Sequence, residues 1–379
     1  MAMRIVVLGG GTAGTTVANR LARALRPEIR RGAVEVTVVT DRDRHWYQPG
    51  YLFVVFNERP LEDFVRPERA LLLPDVGMVV DAITRIDLER KQLISPHRHY
   101  PYDVLVIATG SYPDFQSVPG LAEVTYNFYT PEGAERLRDR LTTWTGGRIM
   151  IVQDVPHKCP AAPVEVTLML DDYFRRRRLR DRVEIVYTYP IGRVHAAEPI
   201  ADWAKQQFDA RGIRYETFFN MEAVDPKRQV VLTMDGGEHP FDLLISIPAH
   251  KGAGVILNSG IGDESGFIPT DRHTLKMIGQ DDVYVLGDAT NLPISKAGST
   301  AHYQAEVLVK NLVDRVRGLP ETHLYNGKVA CFLENSLGDA SFITFDYDRP
   351  PKPAATSELL HWFKGMYNDL YWLTARGLM

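Results

Sequence analysis

Three glycines near the start of the chain constrain its fold most strongly. They follow the strand-like run "RIVVLGG" and open the helix-like run "TAGTTVANRLARAL", after which "VEVTVVT" has the pattern of a second strand. A G-x-G-x-x-G turn between strand and helix lets the backbone approach a pyrophosphate, and the start of the helix supplies oriented N–H groups. We therefore predict a dinucleotide-binding βαβ unit whose turn holds the cofactor through Gly9, Gly11, Thr12, Ala13 and Gly14.

The end of the second strand should hold the ribose of that cofactor. An acid is the usual partner of a ribose hydroxyl at this position. The strand ends in "VVTDRD", so either Thr40 or Asp41 must take the role, and we assign it to Asp41.

Composition excludes several classes of function. The 379 residues are 45% hydrophobic and 24% charged, which is typical of two domains and a tail. A net charge of −4 does not suggest a nucleic-acid partner. The start "MAMRIVVLGGG" leaves no room for a secretion signal, and no apolar run approaches the ~20 residues of a spanning helix. We expect a protein made in the cytoplasm that does not cross a bilayer.

The chain contains two cysteines, Cys159 and Cys331, which lie far apart in sequence. By count alone, two cysteines in a cytosolic chain are more often inert core thiols than a structural disulfide. We assign no metal ligands.

Two later segments each form a strand that ends on small residues. The first, "YDVLVIATGSYP", ends on Ala108, Thr109 and Gly110. The second, "DDVYVLGDATNLP", ends on Gly287 and Asp288. Together with the first glycine turn, these motifs resemble the flavoproteins that carry two dinucleotide-binding domains. The resemblance implies an α/β fold of tandem Rossmann-like domains, FAD as the cofactor, and Asp288 on its ribityl chain.

A long helix is predicted to begin near Ser299. In the resembling flavoproteins such a helix points its N-terminus at the flavin, where its dipole stabilises the anionic reduced ring. The resemblance therefore places Ser299 beside the cofactor. Lys296 could add a positive charge there, and a solvated loop lysine is the equal alternative.

A βα-rich insertion interrupts the FAD-binding unit. We predict a first FAD-binding part over residues 1–112, a second Rossmann-like domain over 113–262, the second FAD-binding part over 263–325 and a C-terminal segment over 326–379. Where a nicotinamide domain would carry its own glycine turn, the insertion has "VQDVPHKCPAAP". The prolines remove N–H donors and the missing glycines prevent close backbone approach, so NAD(P)H binding is disfavoured.

The segments around the cysteines indicate a family. "HKCPAAPVE" around Cys159, "ACFLENSLGDASF" around Cys331 and the aromatic "WYQPGYLF" (46–53) closely resemble the sulfide:quinone oxidoreductases. The resemblance implies that sulfide attacks a disulfide or polysulfide between Cys159 and Cys331. It further implies that the sulfur of Cys331 adds to flavin C4a, that electrons pass from FAD to a membrane quinone, and that zero-valent sulfur or polysulfide is released.

Three neighbours of Cys159 bear on its reactivity. His157 and Lys158 would lower the pKa of the thiol if their charges lay close to it. Glu165 could move protons, or could simply be a carboxylate favoured by a helix N-terminus.

The chain departs from much of this family at one position. Many members carry a third cysteine before the Cys159 segment, often bonded to the flavin. This chain has Tyr126, Phe128 and Tyr129 in that region. A cysteinyl–flavin bond at that position is therefore excluded, and whether Cys159 itself bonds to the flavin stays open.

The C-terminal residues 357–379 bear on the electron acceptor. Apolar residues recur there at helical spacing and form one broad face, namely Leu359, Trp362, Phe363, Met366, Leu370 and Leu373. Such a helix packs on its own domain or lies in a membrane interface, and periodicity alone favours packing. The resemblance to a monotopic quinone reductase implies the membrane surface instead. We expect the cytoplasmic face, and a homo-oligomer.

A flat, apolar quinone needs an aromatic slot at the membrane side of the flavin. Tyr47 and Pro49 of the "YQPG" loop, with Phe332 and Phe342 of the C-terminal segment, are the candidates. Each of them, taken singly, is more often a core residue than a ligand contact.

Three other functions share part of the pattern. A type II NADH:quinone dehydrogenase has the same FAD motifs and a membrane tail, but it needs the second glycine turn. A flavocytochrome sulfide dehydrogenase also uses two distant cysteines, but it is exported and tethers its flavin through another cysteine. A redox-sensing flavoprotein would use the Cys159–Cys331 bond as a switch and would turn over very slowly with any acceptor.

Overall fold

The structure is a computed structural model that describes residues 2–378. Met1 and Met379, which end the predicted domain ranges, lie outside the described residues. The strands are β1 (Met3–Leu8), β2 (Val34–Thr40), β3 (Arg44–Trp46), β4 (Val65–Pro67), β5 (Gly77–Val80), β6 (Arg85–Asp87), β7 (Gln92–Ile94), β8 (His99–Pro101), β9 (Val104–Ile107), β10 (Ser111–Pro113), β11 (Gly147–Gln153), β12 (Val183–Tyr189), β13 (Arg214–Thr217), β14 (Met221–Asp225), β15 (Val230–Thr233), β16 (Glu238–Pro240), β17 (Leu243–Ile247), β18 (His250–Gly252), β19 (Val283–Val285), β20 (Val329–Glu334) and β21 (Ala340–Phe345).

Helices alternate with these strands along much of the chain. The α-helices are α1 (Thr12–Ala24), α2 (Arg26–Arg30), α3 (Tyr51–Val55), α4 (Glu68–Leu71), α5 (Leu121–Val124), α6 (Pro131–Thr142), α7 (Ala162–Arg176), α8 (Glu198–Arg211), α9 (Gly254–Ser259), α10 (Gly298–Val316) and α11 (Glu358–Ala375). Short 3-10 turns cover Gln48–Gly50, Leu61–Phe64, Arg180–Arg182 and Gly287–Ala289.

The first parallel sheet has the strand order β19-β9-β1-β2-β5. Helices α1 and α10 pack on one face, and the antiparallel β6–β8 sheet with α9 covers the other. Because both faces are buried, its strands are continuous apolar runs such as "IVVL" in β1. Strand β19 follows the long insertion in sequence, so the sheet is completed only when distant parts of the chain meet.

The second parallel sheet has the order β13-β12-β11-β17. Helices α6, α7 and α8 pack on one face, and the antiparallel β14–β16 sheet packs on the other. The predicted α/β class with Rossmann-like parallel sheets is therefore confirmed, and the residue bounds of the domains stay a prediction.

The chain ends in the β20–β21 hairpin and helix α11. Ser357 begins this helix, and its hydroxyl accepts a hydrogen bond from the N–H of Leu360 at 3.3 Å. The residues that α11 buries are Lys364, Asn368, Tyr371 and Ala375. Among residues 2–378, no helix is both long enough and apolar enough to cross a bilayer.

Replacing Gly14 with alanine should destabilise the first βαβ unit. A Cβ at Gly14 would lie 1.9 Å from the carbonyl oxygen of Gly9 and 3.1 Å from Cγ1 of Val7, so the backbone of the glycine turn would have to shift. Overpacking of this kind costs about 1–3 kcal/mol. Urea unfolding should therefore show a lower midpoint for G14A.

The matched control is Gly254→Ala, at an exposed glycine that begins helix α9. A Cβ there meets no atom of the described residues within 4 Å. Alanine favours helix over glycine by about 1 kcal/mol, so G254A should match or exceed the wild-type stability. Equal midpoints for G14A and G254A would contradict the close packing of α1 on its turn.

Candidate active site

Three strand ends of the first sheet meet at one edge. The N–H of Ala108, after β9, donates to the carbonyl of Leu8 in β1 at 2.8 Å, and the N–H of Leu286, after β19, donates to Ile107 at 3.1 Å. Carboxyl ends of parallel strands are where such sheets bind ligands. The edge brings together the predicted cofactor residues Gly9, Gly11, Thr12, Ala13, Gly14, Ala108, Thr109, Gly110, Gly287 and Asp288.

The first turn fits a dinucleotide such as FAD. Gly9 has φ +115°, and a Cβ on it would lie 2.4 Å from the carbonyl oxygen of Ala108. Around Gly11 a Cβ would meet no described atom within 4 Å, so the backbone there is open to a ligand. No side chain among residues 2–378 caps α1, which leaves its first N–H groups for a pyrophosphate. The buried hydroxyl of Thr109 also lacks a partner among the described residues.

The other predicted cofactor residues flank this edge. Asp41 follows β2 and its exposed carboxylate accepts two hydrogen bonds from Arg42, each 3.1 Å long. Lys296 donates to the carbonyl oxygens of Asp288, at 3.0 Å, and Thr290, at 2.6 Å. Burial lowers the pKa of Lys296. Lys296 is thus held by backbone next to Asp288 and is not a solvated loop lysine.

Cys159 lies in the turn between β11 and α7. Its N–H donates to the carbonyl oxygen of Lys296 at 2.8 Å, and its own carbonyl accepts from the hydroxyl of Tyr129 at 3.2 Å. Its φ of +47° is in the left-handed region. The turn that carries Cys159 is therefore hydrogen-bonded to the segment that leads into α10.

Cys331 lies in β20, opposite Ile343 of β21. Its sulfur is 3.9 Å from the hydroxyl of Ser299, in the first turn of α10. Both cysteines are free thiols in this structure. The same two charged side chains, Glu165 and Lys364, act on both thiols. The structure thus brings the two distant cysteines into one electrostatic environment at the start of α10.

His157 and Lys158 do not give Cys159 a lowered pKa, although Lys158 interacts with the charge of this thiol. Burial raises the pKa of Cys159 far above its ordinary value, and it raises the pKa of Cys331 to about 11. Burial also lowers the pKa of His157 to about 4, so this imidazole is neutral. Lys158 donates its Nζ to the carbonyl oxygen of Ser111 at 3.0 Å.

The cation that opposes burial at both thiols is Lys364, which the sequence interpretation did not single out. Its Nζ lies 2.6 Å from Glu165 Oε1 and 3.5 Å from Glu334 Oε1. Glu165 Oε1 also accepts the N–H of Glu334 at 2.8 Å, and Glu334 Oε2 lies 2.9 Å from His361 Nδ1. In the sequence, polar residues recur at positions 361, 364 and 368, which is the spacing of one helix face, among apolar neighbours. This spacing is the signal that could have identified Lys364.

A second polar cluster joins α11 by hydrogen bonds to the start of α1, next to the dinucleotide turn. The hydroxyl of Tyr371 contacts Thr12 Oγ1 at 2.7 Å and also contacts His45 Nε2. The opposite nitrogen of His45 lies 2.8 Å from Glu68, which accepts the hydroxyl of Thr15 at 2.6 Å. All of these side chains are buried except that of Thr12, which is half-buried. The C-terminal helix therefore contacts the helix that begins at the predicted pyrophosphate site.

The predicted quinone residues fall into two groups along α11. Tyr47 donates its hydroxyl to Asn368 at 2.7 Å and its ring lies 4.1 Å from that of Tyr371. Phe332 packs on Phe342, with ring centroids 5.1 Å apart, and its ring also lies 6.3 Å from that of Tyr367. Pro49 is exposed on the 3-10 turn Gln48–Gly50.

Part of the chain is similar to the pyridine nucleotide-disulphide oxidoreductases. Residues 3–153 match the model of that family. The class carries FAD, which confirms the cofactor predicted from the three strand-end motifs.

Curated relatives narrow the class further. The mitochondrial sulfide:quinone oxidoreductase of Dictyostelium discoideum is 27% identical, over 91% of this chain and 78% of its own length. That of Schizosaccharomyces pombe is 27% identical, over 92% of this chain and 82% of its own. The structure of the Aquifex aeolicus sulfide:quinone oxidoreductase shares the fold, with a TM-score of 0.88 and 21% identity over 99% of this chain and 92% of that one. The resemblance to the sulfide:quinone oxidoreductases is confirmed.

Replacing Lys364 with methionine should strongly destabilise the protein. The change leaves Glu165 and Glu334 buried without their shared cation, and breaking a buried pair in this way costs about 3–5 kcal/mol. Chemical unfolding of K364M against wild type measures the difference in free energy.

Lys310→Met provides the matched control. Lys310 pairs with Glu306 at 2.8 Å on an exposed face of α10, and such a surface pair contributes about 0.5 kcal/mol or less. If K364M lost no more free energy of unfolding than K310M, charge pairing would not be what holds the buried cluster together.

Proposed function

We propose that this protein is an FAD-dependent sulfide:quinone oxidoreductase with Cys159 and Cys331 as its redox pair. The position of the thiols carries the proposal. Cys159 occupies the turn where a nicotinamide domain would have glycines, and Cys331 lies beside Ser299 at the start of α10. Relatives with this activity in their names match about nine-tenths of the chain.

The chain supplies the groups that sulfide chemistry needs. Hydrosulfide attacks a disulfide between Cys159 and Cys331, so that one cysteine becomes a persulfide and the other leaves as a thiolate. Lys364 stabilises that thiolate, because its charge opposes the effect of burial on both thiols. Glu165 is the nearby carboxylate that can take up or return a proton. FAD, when bound, supplies the two-electron chemistry between sulfide and quinone.

The aromatic residues along α11 are proposed to hold the quinone. Phe332, Phe342 and Tyr367 form one aromatic surface, and Tyr47 with Tyr371 forms the other. A flat, apolar ligand suits such surfaces, because aromatic faces stack in offset or edge-on geometry. Pro49 is two residues after Tyr47 on the exposed turn Gln48–Gly50 and stays a candidate contact.

Helix α11 is also proposed to dock on a membrane surface. Its polar residues Lys364 and Asn368 face inward, whereas Trp362 is 71% exposed and Met366 is 54% exposed. An outward apolar face with tryptophan is typical of helices that lie in the membrane interface. This supports peripheral attachment through residues 357–378. The cytoplasmic side and a homo-oligomer stay predictions.

The FAD-loaded protein should be bleached by sulfide under anaerobic conditions, and a quinone should restore the flavin absorbance. C159S and C331S should both keep FAD and lose this sulfide-driven reduction, because each removes one sulfur of the pair. Stopped-flow absorbance of the flavin measures the rate, and dithionite reduction of each variant is the control for a competent flavin. Near-normal reduction by sulfide in either variant would exclude the pair.

NADH is the comparison substrate in the same anaerobic absorbance experiment. The turn that carries Cys159 contains three prolines and no glycine, so NADH should leave the flavin oxidised. Bleaching by NADH with no effect of sulfide would instead support a type II NADH:quinone dehydrogenase.

Replacing Trp362 with glutamate should weaken binding to lipid vesicles. Burying a large apolar side chain contributes about 1.5–3 kcal/mol, so the partition coefficient should fall about tenfold or more. Sedimentation with vesicles of phosphatidylcholine and phosphatidylglycerol measures it. The control is Phe218→Glu, since Phe218 is 72% exposed but lies far along the chain in the second domain. Equal loss in both variants would argue against docking through α11.

A further inference from the structure

A line of four ionisable side chains runs from the surface to the thiol pair. His361 Nδ1 lies 2.9 Å from Glu334 Oε2, Glu334 Oε1 lies 3.5 Å from Lys364 Nζ, and Lys364 Nζ lies 2.6 Å from Glu165 Oε1. The side chain of His361 is 23% exposed, whereas the other three are exposed by 8% or less. Solvent therefore reaches the outer end of the line and not its inner end.

These four side chains come from three separate elements. Glu165 belongs to α7, Glu334 to β20, and His361 and Lys364 to α11. Stability alone does not require such a cluster, because a well-packed apolar core in its place is often equally stable or more so. The inner end, with Glu165 and Lys364, acts on the charge of both cysteines. The line thus connects solvent with the site where sulfide chemistry is proposed.

The proposed reaction needs a proton from solvent. Oxidation of hydrosulfide to zero-valent sulfur releases two electrons and one proton, and reduction of a quinone to the quinol consumes two electrons and two protons. The sum is HS⁻ + Q + H⁺ → S⁰ + QH₂, where Q is the quinone. Each turnover therefore takes up one proton from solvent, and that proton is consumed in the reduction of the quinone.

We propose that His361, Glu334 and Lys364 conduct this proton from solvent to Glu165, which gives it up as the quinol forms and is then ready for the next turnover. The inference rests on the proposed function above. His361 takes a proton from water and passes it to Glu334. Lys364 gives one of its protons to Glu165 and regains one from Glu334, so that His361, Glu334 and Lys364 return to their starting states and only Glu165 has gained a proton.

The charges around His361 suit the outer position. The hydrogen bond to Glu334 raises the pKa of His361, burial and Lys364 oppose this rise, and Glu58 on the neighbouring surface supports it. His361 therefore binds a proton more readily than an ordinary histidine. Burial alone would lower the pKa of Lys364, but Glu165 and Glu334 raise it above its usual range, so that this side chain is an ammonium before and after each transfer and must regain a proton from Glu334 as it gives one to Glu165.

The test uses the FAD-loaded full chain with His361→Gln and Glu334→Gln. Sulfide-dependent reduction of a water-soluble ubiquinone analogue is followed from about pH 6 to about pH 9. Both variants should lose kcat by about tenfold or more, most strongly at the alkaline end, with unchanged KM for sulfide and quinone. Imidazole in the buffer should restore H361Q. The matched control is His99→Gln, an exposed histidine in β8, which should behave as wild type.

A second readout does not depend on turnover. NMR titration of histidine-labelled protein should give His361 a raised pKa in wild type, and the pKa should fall in E334Q. His361 remains partly exposed, so H361Q carries the kinetic test even if E334Q does not fold.

Each alternative result has a defined meaning. Unchanged kcat and pH profile in H361Q would overturn the proton path while leaving the proposed function intact. A loss of kcat that is equal at every pH and not rescued by imidazole would overturn it too, since it marks a packing defect. A pKa of His361 that does not respond to E334Q would remove the outermost link. If the wild-type holoenzyme does not couple sulfide to quinone at all, the proposed function fails first, and the proton path fails with it.

Discussion

The buried contact between Lys364 and Glu165 determines how the C-terminal helix lies on the molecule. A buried ammonium requires anionic partners, and it finds them in Glu165 and Glu334. The side of α11 that carries Lys364 must therefore face inward. The opposite side, with Trp362 and Met366, then faces out. This reverses the usual arrangement, in which an amphipathic helix buries its apolar stripe in its own domain.

The same contact links the two cysteine segments. Glu165 follows Cys159 in the first turn of α7, and Glu334 follows Cys331 at the end of β20. One ammonium therefore holds both segments against α11, and its charge acts on both thiols. The proposed proton path includes this side chain, and the proposed quinone residues Phe332 and Tyr47 contact the same helix through Tyr367 and Asn368.

The turn at Cys159 follows a regular Rossmann-like sheet but lacks a glycine motif. The second sheet is parallel, with the strand order β13-β12-β11-β17. Where glycines would admit a pyrophosphate, a cysteine in left-handed conformation donates its N–H to the carbonyl of Lys296. The carboxyl end of β11 is thereby joined to the start of α10. A thiol thus lies at the strand end where a second glycine turn would be expected.

Local sequence rules determined the strands, the glycine turn and the strand-end motifs. These features depend on backbone sterics at Gly9 and Gly14 and on continuous apolar runs, and both act over only a few residues. The two cysteine segments were likewise recognisable from their neighbours in sequence. The charges around the thiols could not be recognised in this way. His157 adjoins Cys159 in sequence, yet burial keeps its imidazole neutral. Lys364 acts on both thiols, and it lies 199 residues from its partner Glu165 in sequence. Only the tertiary structure decided this, because burial and long-range contacts determine the electrostatics of a thiol and the direction in which an amphipathic helix faces.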